Sequence, residues 1–268
     1  MTRAEHQTYK WPAMSDLFSP TEVLCVIPAR YGSTRFPGKP LAKIAGKEMI
    51  LRVCERVSQC RSFEKTLVAT DDQRIFDLVE SNGFDAVLTS KNHPTGTDRL
   101  VEVAASRTES FILNLQGDEP LVDPAFLDEF IRACVGSKQD FSVATMCSPL
   151  NLAEDVLNPN IVKVVKDRNG RALYFSRAPI PFPRDGFESK EFFPWYKHVG
   201  IYLYPRDTLS TYSSLPGSAL EDTEKLEQLR IMENGGQIFV WEIEKTWPGV
   251  DTPEDLQRVE EYFKGARS

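Results

Sequence analysis

The sequence predicts an α/β protein whose mostly parallel sheet is covered by helices on both faces. Two observations lead to this class. Apolar runs such as Phe111–Leu115, and the run that begins at Val23, are continuous rather than alternating, which is typical of strands buried on both sides. Amphipathic helical segments separate these runs, so each strand is followed by a helix that can cover the sheet.

The first half of the chain alternates regularly between the two element types. Met49, Ile50, Val53 and Val57 recur at helical spacing. Gly83 is suited to end a helix. After the strand that begins at Val23, the predicted elements are a helix over Glu48–Gln59, a strand over Thr66–Ala69, a helix from a cap at Asp71 or Asp72 to Asn82, a strand over Ala86–Leu88, a helix over Leu100–Ala105, a strand over Phe111–Leu115 and a helix over Ala125–Cys134.

The second half departs from this alternation. Asn169-Gly170 is a strong hairpin signal. A proline-rich loop follows it, and together they predict a β-hairpin/Pro-rich insertion. The predicted elements here are hairpin strands over Ile161–Val165 and Ala172–Phe175, a strand over Val199–Tyr204, a helix over Leu220–Glu233, a strand over Ile238–Ile243 and a helix over Pro253–Phe263.

Composition limits the class of partner and the compartment. Lys and Arg number 32 against 39 Asp and Glu, and the net charge of −7 argues against a nucleic-acid surface. Apolar runs are too short to span a bilayer, and the N-terminus lacks a signal-peptide core, so we expect a soluble, cytoplasmic protein without membrane insertion. The five cysteines show neither a CxxC pair nor zinc-ligand spacing, which favours reduced, buried thiols. Residues 1–20 are predicted to be a flexible arm, and 21–268 one domain in which 158–200 is the insertion.

The loop after the first strand has the composition of a polyphosphate site. Arg30, Arg35 and Lys39 share it with the hydroxyls of Ser33 and Thr34. Guanidinium groups and backbone amides outside secondary structure both bind phosphate oxygens. Pro40 follows Lys39 where the common phosphate loop has a hydroxyl residue for the metal, so a metal must be held elsewhere. A solvated basic loop is the alternative interpretation.

Carboxylates at strand ends are the candidate metal ligands. Asp118 follows the strand over Phe111–Leu115, and Asp251 follows the last strand. Ligands of open α/β sheets bind at the carboxyl ends of strands, and two carboxylates suffice for Mg²⁺. Position alone leaves Glu119, Asp255 and the Asp71-Asp72 pair as competitors. An aspartate before a helix is also a common N-cap, which is an alternative for Asp71, Asp72 and Asp251.

A series of ordered segments resembles the sugar-acid cytidylyltransferases. The stretch from Pro28 to Leu41, with Arg35-Phe36-Pro37-Gly38-Lys39-Pro40-Leu41 at its end, is similar to the first motif of that family. The resemblance runs from about Val23 to the C-terminal helix. The further matching segments are Val68–Asp71, Gly96–Arg99, Asn114–Pro120, Ala172–Arg177, His198–Tyr202, Leu226–Arg230 and Gly249–Leu256.

The resemblance implies a Rossmann-like fold of the nucleotide-diphospho-sugar transferase type and a reaction. CMP would pass from CTP to the anomeric hydroxyl of 3-deoxy-D-manno-octulosonate (Kdo), for lipopolysaccharide biosynthesis, with Mg²⁺ as cofactor in a homodimer. Asp118 and Asp251 would hold the metal. The implied catalytic residues are Arg35, Lys39, Asp118 and Asp251. The implied CTP-binding residues are Ala29, Arg30, Ser33, Arg35, Lys39, Gly96 and Arg99. The implied sugar-binding residues are Gln116, Arg177, His198, Tyr202, Glu227 and Gln228.

Each of these residues also has a plainer interpretation. His198 fits an ordinary buried histidine, Glu227 a solvated helix face and Tyr202 a core position. Gly96-Thr97-Asp98 fits a turn followed by a helix cap. Alternative functions are a cytidylyltransferase for 8-amino-Kdo or a nonulosonate, a glycosyltransferase with a bound nucleotide sugar, and a non-catalytic nucleotide-binding regulator. The basic loop argues against the glycosyltransferase. The joint presence of that loop and the two aspartates argues against the non-catalytic regulator.

Overall fold

The computed structural model describes residues 22–32, 36–93, 95–136, 141–184, 186–187 and 195–265, so the arm predicted at 1–20 lies outside it. The strands are β1 (Val23–Ala29), β2 (Lys43–Ile44), β3 (Lys47–Glu48), β4 (Lys65–Thr70), β5 (Asp85–Leu88), β6 (Phe111–Asn114), β7 (Val143–Pro149), β8 (Lys163–Lys166), β9 (Ala172–Ser176), β10 (Tyr196–Pro205) and β11 (Ile238–Glu242). The helices are α1 (Met49–Val57), α2 (Gln73–Ser81), α3 (Gly96–Ala105), α4 (Pro124–Val135), α5 (Ala153–Leu157), α6 (Arg206–Tyr212), α7 (Ala219–Glu224), α8 (Gln228–Glu233) and α9 (Pro253–Gly265).

The large sheet has the strand order β11-β7-β10-β6-β1-β4-β5. β1 is parallel to β4 and β6, β4 to β5, and β7 to β11. β10 lies antiparallel between β6 and β7, which therefore point the same way as β1. The predicted mostly parallel sheet is confirmed, and the carboxyl ends of these strands meet along one edge.

Both faces of the sheet are covered, as the continuous apolar runs predict. In β1, Cys25 and Ile27 pack into the core formed with α1, α2 and α4. Leu24 and Val26 point to the opposite core, formed with α3, α6 and α8. Because successive strand side chains face opposite sides, a strand between two helical layers needs apolar residues at every position.

The hairpin predicted around Asn169-Gly170 is present. β8 and β9 pair antiparallel, with Lys163 opposite Ser176, and β8 also joins the sheet through β10. Gly170 has φ of +81°, a backbone conformation that glycine adopts without steric cost.

The single helix predicted over Leu220–Glu233 is wrong. α7 ends at Glu224, its C-cap Lys225 adopts the left-handed conformation with φ of +55°, and α8 begins only at Gln228. Leu226 is buried at the break, and the Thr97 hydroxyl donates to the Glu227 carboxylate at 2.6 Å. These tertiary contacts outweigh the helix propensity of the intervening residues.

Other boundaries also differ from prediction. The elements β2, β3, β7, α5 and α6 are not predicted from the sequence. α3 begins at Gly96 because the Thr95 hydroxyl accepts the Asp98 amide at 3.2 Å. The interpretation of Gly96–Asp98 as a turn before a cap is therefore wrong. Within the described ranges, no helix has the length and apolarity to cross a membrane.

We predict that Gly170→Ala destabilises the protein more than Gly83→Ala. Both glycines have φ near +80°, but a Cβ at Gly170 would lie 2.7 Å from the Phe239 ring, whereas nothing lies within 4 Å at Gly83. Backbone strain alone is worth about 1–2 kcal/mol, and overpacking adds about 1–3 kcal/mol at Gly170. Urea unfolding of both variants measures the difference. Equal losses would show that the Phe239 contact relaxes without cost.

Candidate active site

Two adjoining clefts lie at the carboxyl edge of the sheet, where the strand order reverses at β1. The chain passes from β1 to β4 on one side and later returns to β6 on the other, which is where open α/β sheets bind ligands. The small cleft, of about 200 Å³, includes Lys39, Asp118 and Asp251. The large cleft, of about 450 Å³, includes Arg177, Glu227 and Gln228. Pro28, Arg30 and Gln116 line both, so the two clefts are continuous.

The described ends of the basic loop are fixed by local contacts. Gly38 donates its amide to the Tyr31 carbonyl at 2.9 Å. Its φ of +71° favours glycine, and a Cβ there would lie 3.1 Å from the Tyr31 ring. The Arg74 guanidinium lies 3.7 Å from the centre of that ring and also pairs with Asp72. Lys39 then begins a short 3-10 helix, Lys39–Leu41, with Pro40 inside its first turn.

Lys39 joins the two aspartates predicted from the resemblance. Its ammonium donates to Asp118 Oδ2 and to the Val250 carbonyl at 2.9 Å, and lies 3.5 Å from Asp251 Oδ1. The Val250 amide donates to the Asp118 carbonyl at 2.9 Å, which holds the two loops together. Residues separated by 79 and 212 positions in sequence thus converge on one ammonium.

The competing carboxylates are engaged elsewhere. Asp72 caps α2, and Asp71 pairs with Arg99 at 3.3 Å. Asp255 accepts the amides of Asp251 and Thr252 and so closes the first turn of α9. Glu119 accepts from Trp247 Nε1 at 2.7 Å, while burial and the neighbouring charge of Asp118 raise the pKa of Glu119. Glu119 is also absent from the described lining of the small cleft.

The small cleft has the donors of an open magnesium site. Among the described residues, no group of three or more His, Cys, Asp or Glu side chains gathers to form a closed metal cage. Mg²⁺ is commonly held by one or two carboxylates, with substrate phosphates and water as its other ligands. Asp118 and Asp251, both partly exposed to the cleft, fit that requirement.

The residues predicted to bind CTP fall into three groups. Ala29, Arg30 and Lys39 line the small cleft. Gly96 and Arg99 line the large cleft, where the buried Arg99 guanidinium also pairs with Asp71 and donates to the Thr89 hydroxyl. Ser33 and Arg35 lie outside the described residues, and their predicted roles rest on the resemblance.

Five of the six residues predicted to bind sugar line the large cleft: Gln116, Arg177, Tyr202, Glu227 and Gln228. The Tyr202 hydroxyl donates to Gln228 Oε1 at 3.2 Å. Gln228 is 3% exposed, and its Nε2 has no hydrogen-bond partner within the described structure. A buried amide donor without a partner is costly, so an acceptor from a bound molecule would stabilise this nitrogen.

His198 is placed differently from the other five. It is absent from the described lining of both clefts, and its ring packs edge-on against Phe175 and next to Tyr202. Nε2 lies 3.0 Å from the Thr145 hydroxyl, whose single proton also faces the carbonyls of Val199 and Ile201. The imidazole therefore carries its proton on Nε2 and donates it to Thr145. This geometry supports a role behind Tyr202.

Several lining residues were missed by sequence reasoning. Asn114 ends the apolar strand β6, Thr97 fixes Glu227, and Tyr204 and Lys225 border the large cleft. Gly200 lies at the register shift of β10 between Val199 and Tyr202. A glycine inside an apolar strand often marks a bulge or a close approach, and that signal was available in the sequence.

We predict that His198 makes the fold sensitive to acid. Burial, helped by the charge of Lys197, lowers the pKa of His198 from 6.5 to about 3. Between these two pKa values His198 is protonated in the unfolded chain but neutral in the folded chain. The free energy of unfolding therefore falls by about 1.4 kcal/mol for each unit by which the pH is lowered. His198→Gln should lose less stability than the parent between pH 6.5 and 4.5, measured by urea unfolding. Parallel losses would show that His198 is readily protonated in place.

Known proteins share both the sequence and the fold. A family model for cytidylyltransferases matches residues 24–243. The 3-deoxy-manno-octulosonate cytidylyltransferase of Syntrophotalea carbinolica is 48% identical over 248 residues, covering 91% of this chain and 99% of that protein. The enzyme of that name from Solibacter usitatus is 47% identical over 247 residues, covering 92% and 96%.

Solved structures agree with these relatives. A structure of CMP:2-keto-3-deoxy-manno-octonic acid synthetase complexed with CTP matches with a TM-score of 0.86 at 44% identity, covering 91% of this chain and 99% of that one. A putative glucose-1-phosphate thymidylyltransferase from Bacillus anthracis matches with a TM-score of 0.60 at 18% identity, covering 90% and 94%, which shows a shared fold alone. The predicted nucleotide-diphospho-sugar transferase type of fold is thereby confirmed. Given this identity over nine-tenths of its length, the chain belongs to the cytidylyltransferase family, together with the 3-deoxy-manno-octulosonate cytidylyltransferases.

Proposed function

We propose that this protein transfers CMP from CTP to the anomeric hydroxyl of Kdo, releasing pyrophosphate and forming CMP-Kdo for lipopolysaccharide biosynthesis. The observation that carries the proposal is the pair of continuous clefts with different chemistry. The small cleft gathers Lys39 with two aspartates, and the large cleft gathers Arg177 with hydrogen-bonding side chains. The names of the relatives indicate the same nucleotide and sugar acid.

The reaction makes and breaks one bond at phosphorus. The sugar hydroxyl oxygen bonds to the α-phosphorus of CTP, the bond to the pyrophosphate oxygen breaks, and the hydroxyl proton is released. Attacking and leaving oxygens lie roughly in line in such transfers. With the triphosphate toward Lys39 and the sugar toward Arg177, the reacting atoms meet where Pro28, Arg30 and Gln116 border both clefts.

Two anions must approach one another in this reaction, and each finds its own cation. Arg177 donates Nε to the Glu224 carbonyl at 2.8 Å and Nη1 to the Pro159 carbonyl at 3.1 Å. Neutral carbonyls orient the guanidinium without cancelling its charge, which supports pairing with the sugar carboxylate. Arg30 and Lys39, and by resemblance Arg35 and Ser33, would bind the triphosphate.

The charge of the small cleft supports a requirement for Mg²⁺. Asp118 and Asp251 offset the positive charges of Arg30 and Lys39 in the small cleft, so these four side chains leave no net positive charge to balance a triphosphate. Asp118 and Asp251 would hold the ion. When bound, it would neutralise phosphate charge and thereby stabilise the transition state. Lys39 would then keep both aspartates in place while its own charge attracts the phosphates.

The assay that tests the function is pyrophosphate release from CTP and Kdo in the presence of Mg²⁺. We expect turnover with CTP to exceed that with ATP, GTP or UTP, and turnover with Kdo to exceed that with 8-amino-Kdo or a nonulosonate. Faster turnover of one of those acids would reassign the sugar. Release of a nucleoside diphosphate or monophosphate from a nucleotide sugar, with none from CTP and Kdo, would indicate the glycosyltransferase instead.

We predict that Asp118→Asn and Asp251→Asn each lower kcat/KM by a factor of about a hundred or more at ordinary Mg²⁺, because each removes a charged ligand of the ion. The pyrophosphate assay measures the loss, and a Mg²⁺ titration should show a raised requirement. Asp85→Asn is the matched control and should keep parental activity. Asp85 lies at the amino end of β5, whereas the clefts lie at the carboxyl ends of the parallel strands. Near-normal turnover in either cleft variant would remove that aspartate from the metal site.

The proposal includes a homodimer formed through the insertion at 158–200. Large apolar side chains that are exposed in the described structure include four in or just before this segment: Leu152, Leu157, Leu173 and Phe182, between 53% and 75% exposed. Exposed apolar side chains in one segment support contact with a second copy, because a partner would remove their surface from water. A cytoplasmic location is also part of the proposal, because CTP is available there.

We predict that Leu173→Glu combined with Phe182→Glu weakens dimerisation at least about tenfold, because a charge on each side chain would have to be desolvated. Sedimentation analysis of the parent should give twice the chain mass, and the variant should shift toward the monomer. Leu88→Glu, on the edge strand β5, is the control and should leave the mass unchanged. A monomeric parent, or an unshifted double variant, would reject this surface.

A further inference from the structure

Lys163 is a buried cation outside both clefts. Its residue exposure is 0%, and it lies on β8 of the hairpin. The ammonium donates to three carbonyls: Asn158 at 2.9 Å, Ile161 at 2.6 Å and Arg177 at 2.6 Å. A lysine ammonium has three N–H donors, so all of them are used. A neutral side chain here would leave buried carbonyls without partners.

These three bonds fasten two segments that both hold Arg177. One segment is the turn before β8, and its Pro159 carbonyl, between the two that Lys163 binds, accepts Arg177 Nη1. The other is the end of β9, where Lys163 holds the carbonyl of Arg177 itself. Lys163 therefore fixes both the backbone of Arg177 and one of the two carbonyls that orient its guanidinium.

The second carbonyl belongs to Glu224, which directly precedes residues that line the large cleft. Glu224 ends α7 and gives its carbonyl to Arg177 Nε, while its carboxylate accepts the Arg177 amide at 2.9 Å and the Ser176 hydroxyl at 2.5 Å. Lys225, Glu227 and Gln228 of the cleft follow directly. The position of Arg177 relative to these side chains thus depends on the segments that Lys163 ties together.

We propose that Lys163 is a positioning residue for the sugar acid, acting through Arg177. It holds the guanidinium at the mouth of the large cleft, where the carboxylate of the acceptor would bind, and does not itself line the cleft in the described structure. The inference rests on the proposed function, in which Arg177 pairs with that carboxylate. The triphosphate would bind in the small cleft, away from Lys163.

The test is the separation of the two Michaelis constants. In Lys163→Met, the KM for Kdo should rise between about tenfold and a hundredfold, while the KM for CTP stays within about twofold, because only the acceptor side is misplaced. Lys166→Met is the matched control on the same strand, since Lys166 pairs with Glu242 at 3.0 Å and lies against Tyr196. It should match the parent in both constants. Equal rises for CTP and Kdo in Lys163→Met would overturn the proposal.

A double-variant comparison shows whether Lys163 acts through Arg177. Lys163→Met added to Arg177→Met should leave the kcat/KM for Kdo close to that of Arg177→Met alone, since the guanidinium to be positioned is already gone. Losses that multiply would show an independent, structural effect and reject the positioning role.

The same assays distinguish failure of the positioning role from a folding defect and from failure of the proposed function. If Lys163→Met fails to fold, Lys163→Gln, with an amide that keeps two N–H donors, takes its place, and the same split between Kdo and CTP is required of it. A parent protein that releases no pyrophosphate from CTP and Kdo rejects the proposed function, and the inference with it. A parent that turns over, with a Lys163 variant affecting both substrates alike, rejects the inference alone.

Discussion

The ion pair network at Lys39 is the constraint on which the site depends. Two aspartates from distant parts of the chain both contact the Lys39 ammonium, which offsets the repulsion that like charges in a partly buried cleft would otherwise feel. Lys39 also holds the Val250 carbonyl, and the Val250 amide holds Asp118. The loops after β6 and β11 therefore form one unit with the 3-10 helix that begins at Lys39, and this unit forms one side of the small cleft.

The antiparallel strand β10 makes the large cleft possible. It enters between β6 and β7 and carries the register shift at Gly200, which brings Tyr202 beside Asn114 of β6. Thr145 of β7 stabilises this irregular backbone through the carbonyls of Val199 and Ile201, and through His198. His198 thus contributes to the cleft from behind, by supporting the strand that presents Tyr202. The matching segment His198–Tyr202 therefore contains one residue that lines the cleft, Tyr202, and one that packs behind it, His198.

The local pattern of apolar residues predicts helices and strands where an element is buried in the same way along its length. It fails where contacts with distant residues determine the local conformation. The apolar runs of β1 and β6 and the amphipathic α1 and α4 are readable because the two faces of the sheet impose them. The break at Lys225 is not readable, because its residues favour a helix and only the burial of Leu226 and the bond from Thr97 to Glu227 oppose it. β7 was missed because Thr145 and Ser148 interrupt its apolar pattern, although both are buried. Strand-end position made Asp118 and Asp251 two of several candidate carboxylates, and the choice of this pair came from the resemblance.

The division of charge between the clefts bears on which sugar acid is selected. Every candidate acceptor carries a carboxylate, so the proposed pairing with Arg177 would favour them all and discriminate little among them. Discrimination would then come from groups that contact the rest of the sugar. Glu227, Gln228 and Tyr202 are the proposed contacts, and the bonds from Thr97 to Glu227 and from Tyr202 to Gln228 fix their positions. A site whose buried polar groups are satisfied by particular hydroxyls penalises an analogue that leaves one unpaired. The unpartnered Nε2 of Gln228 is a candidate for such a group, because an acceptor on the proposed sugar would stabilise it.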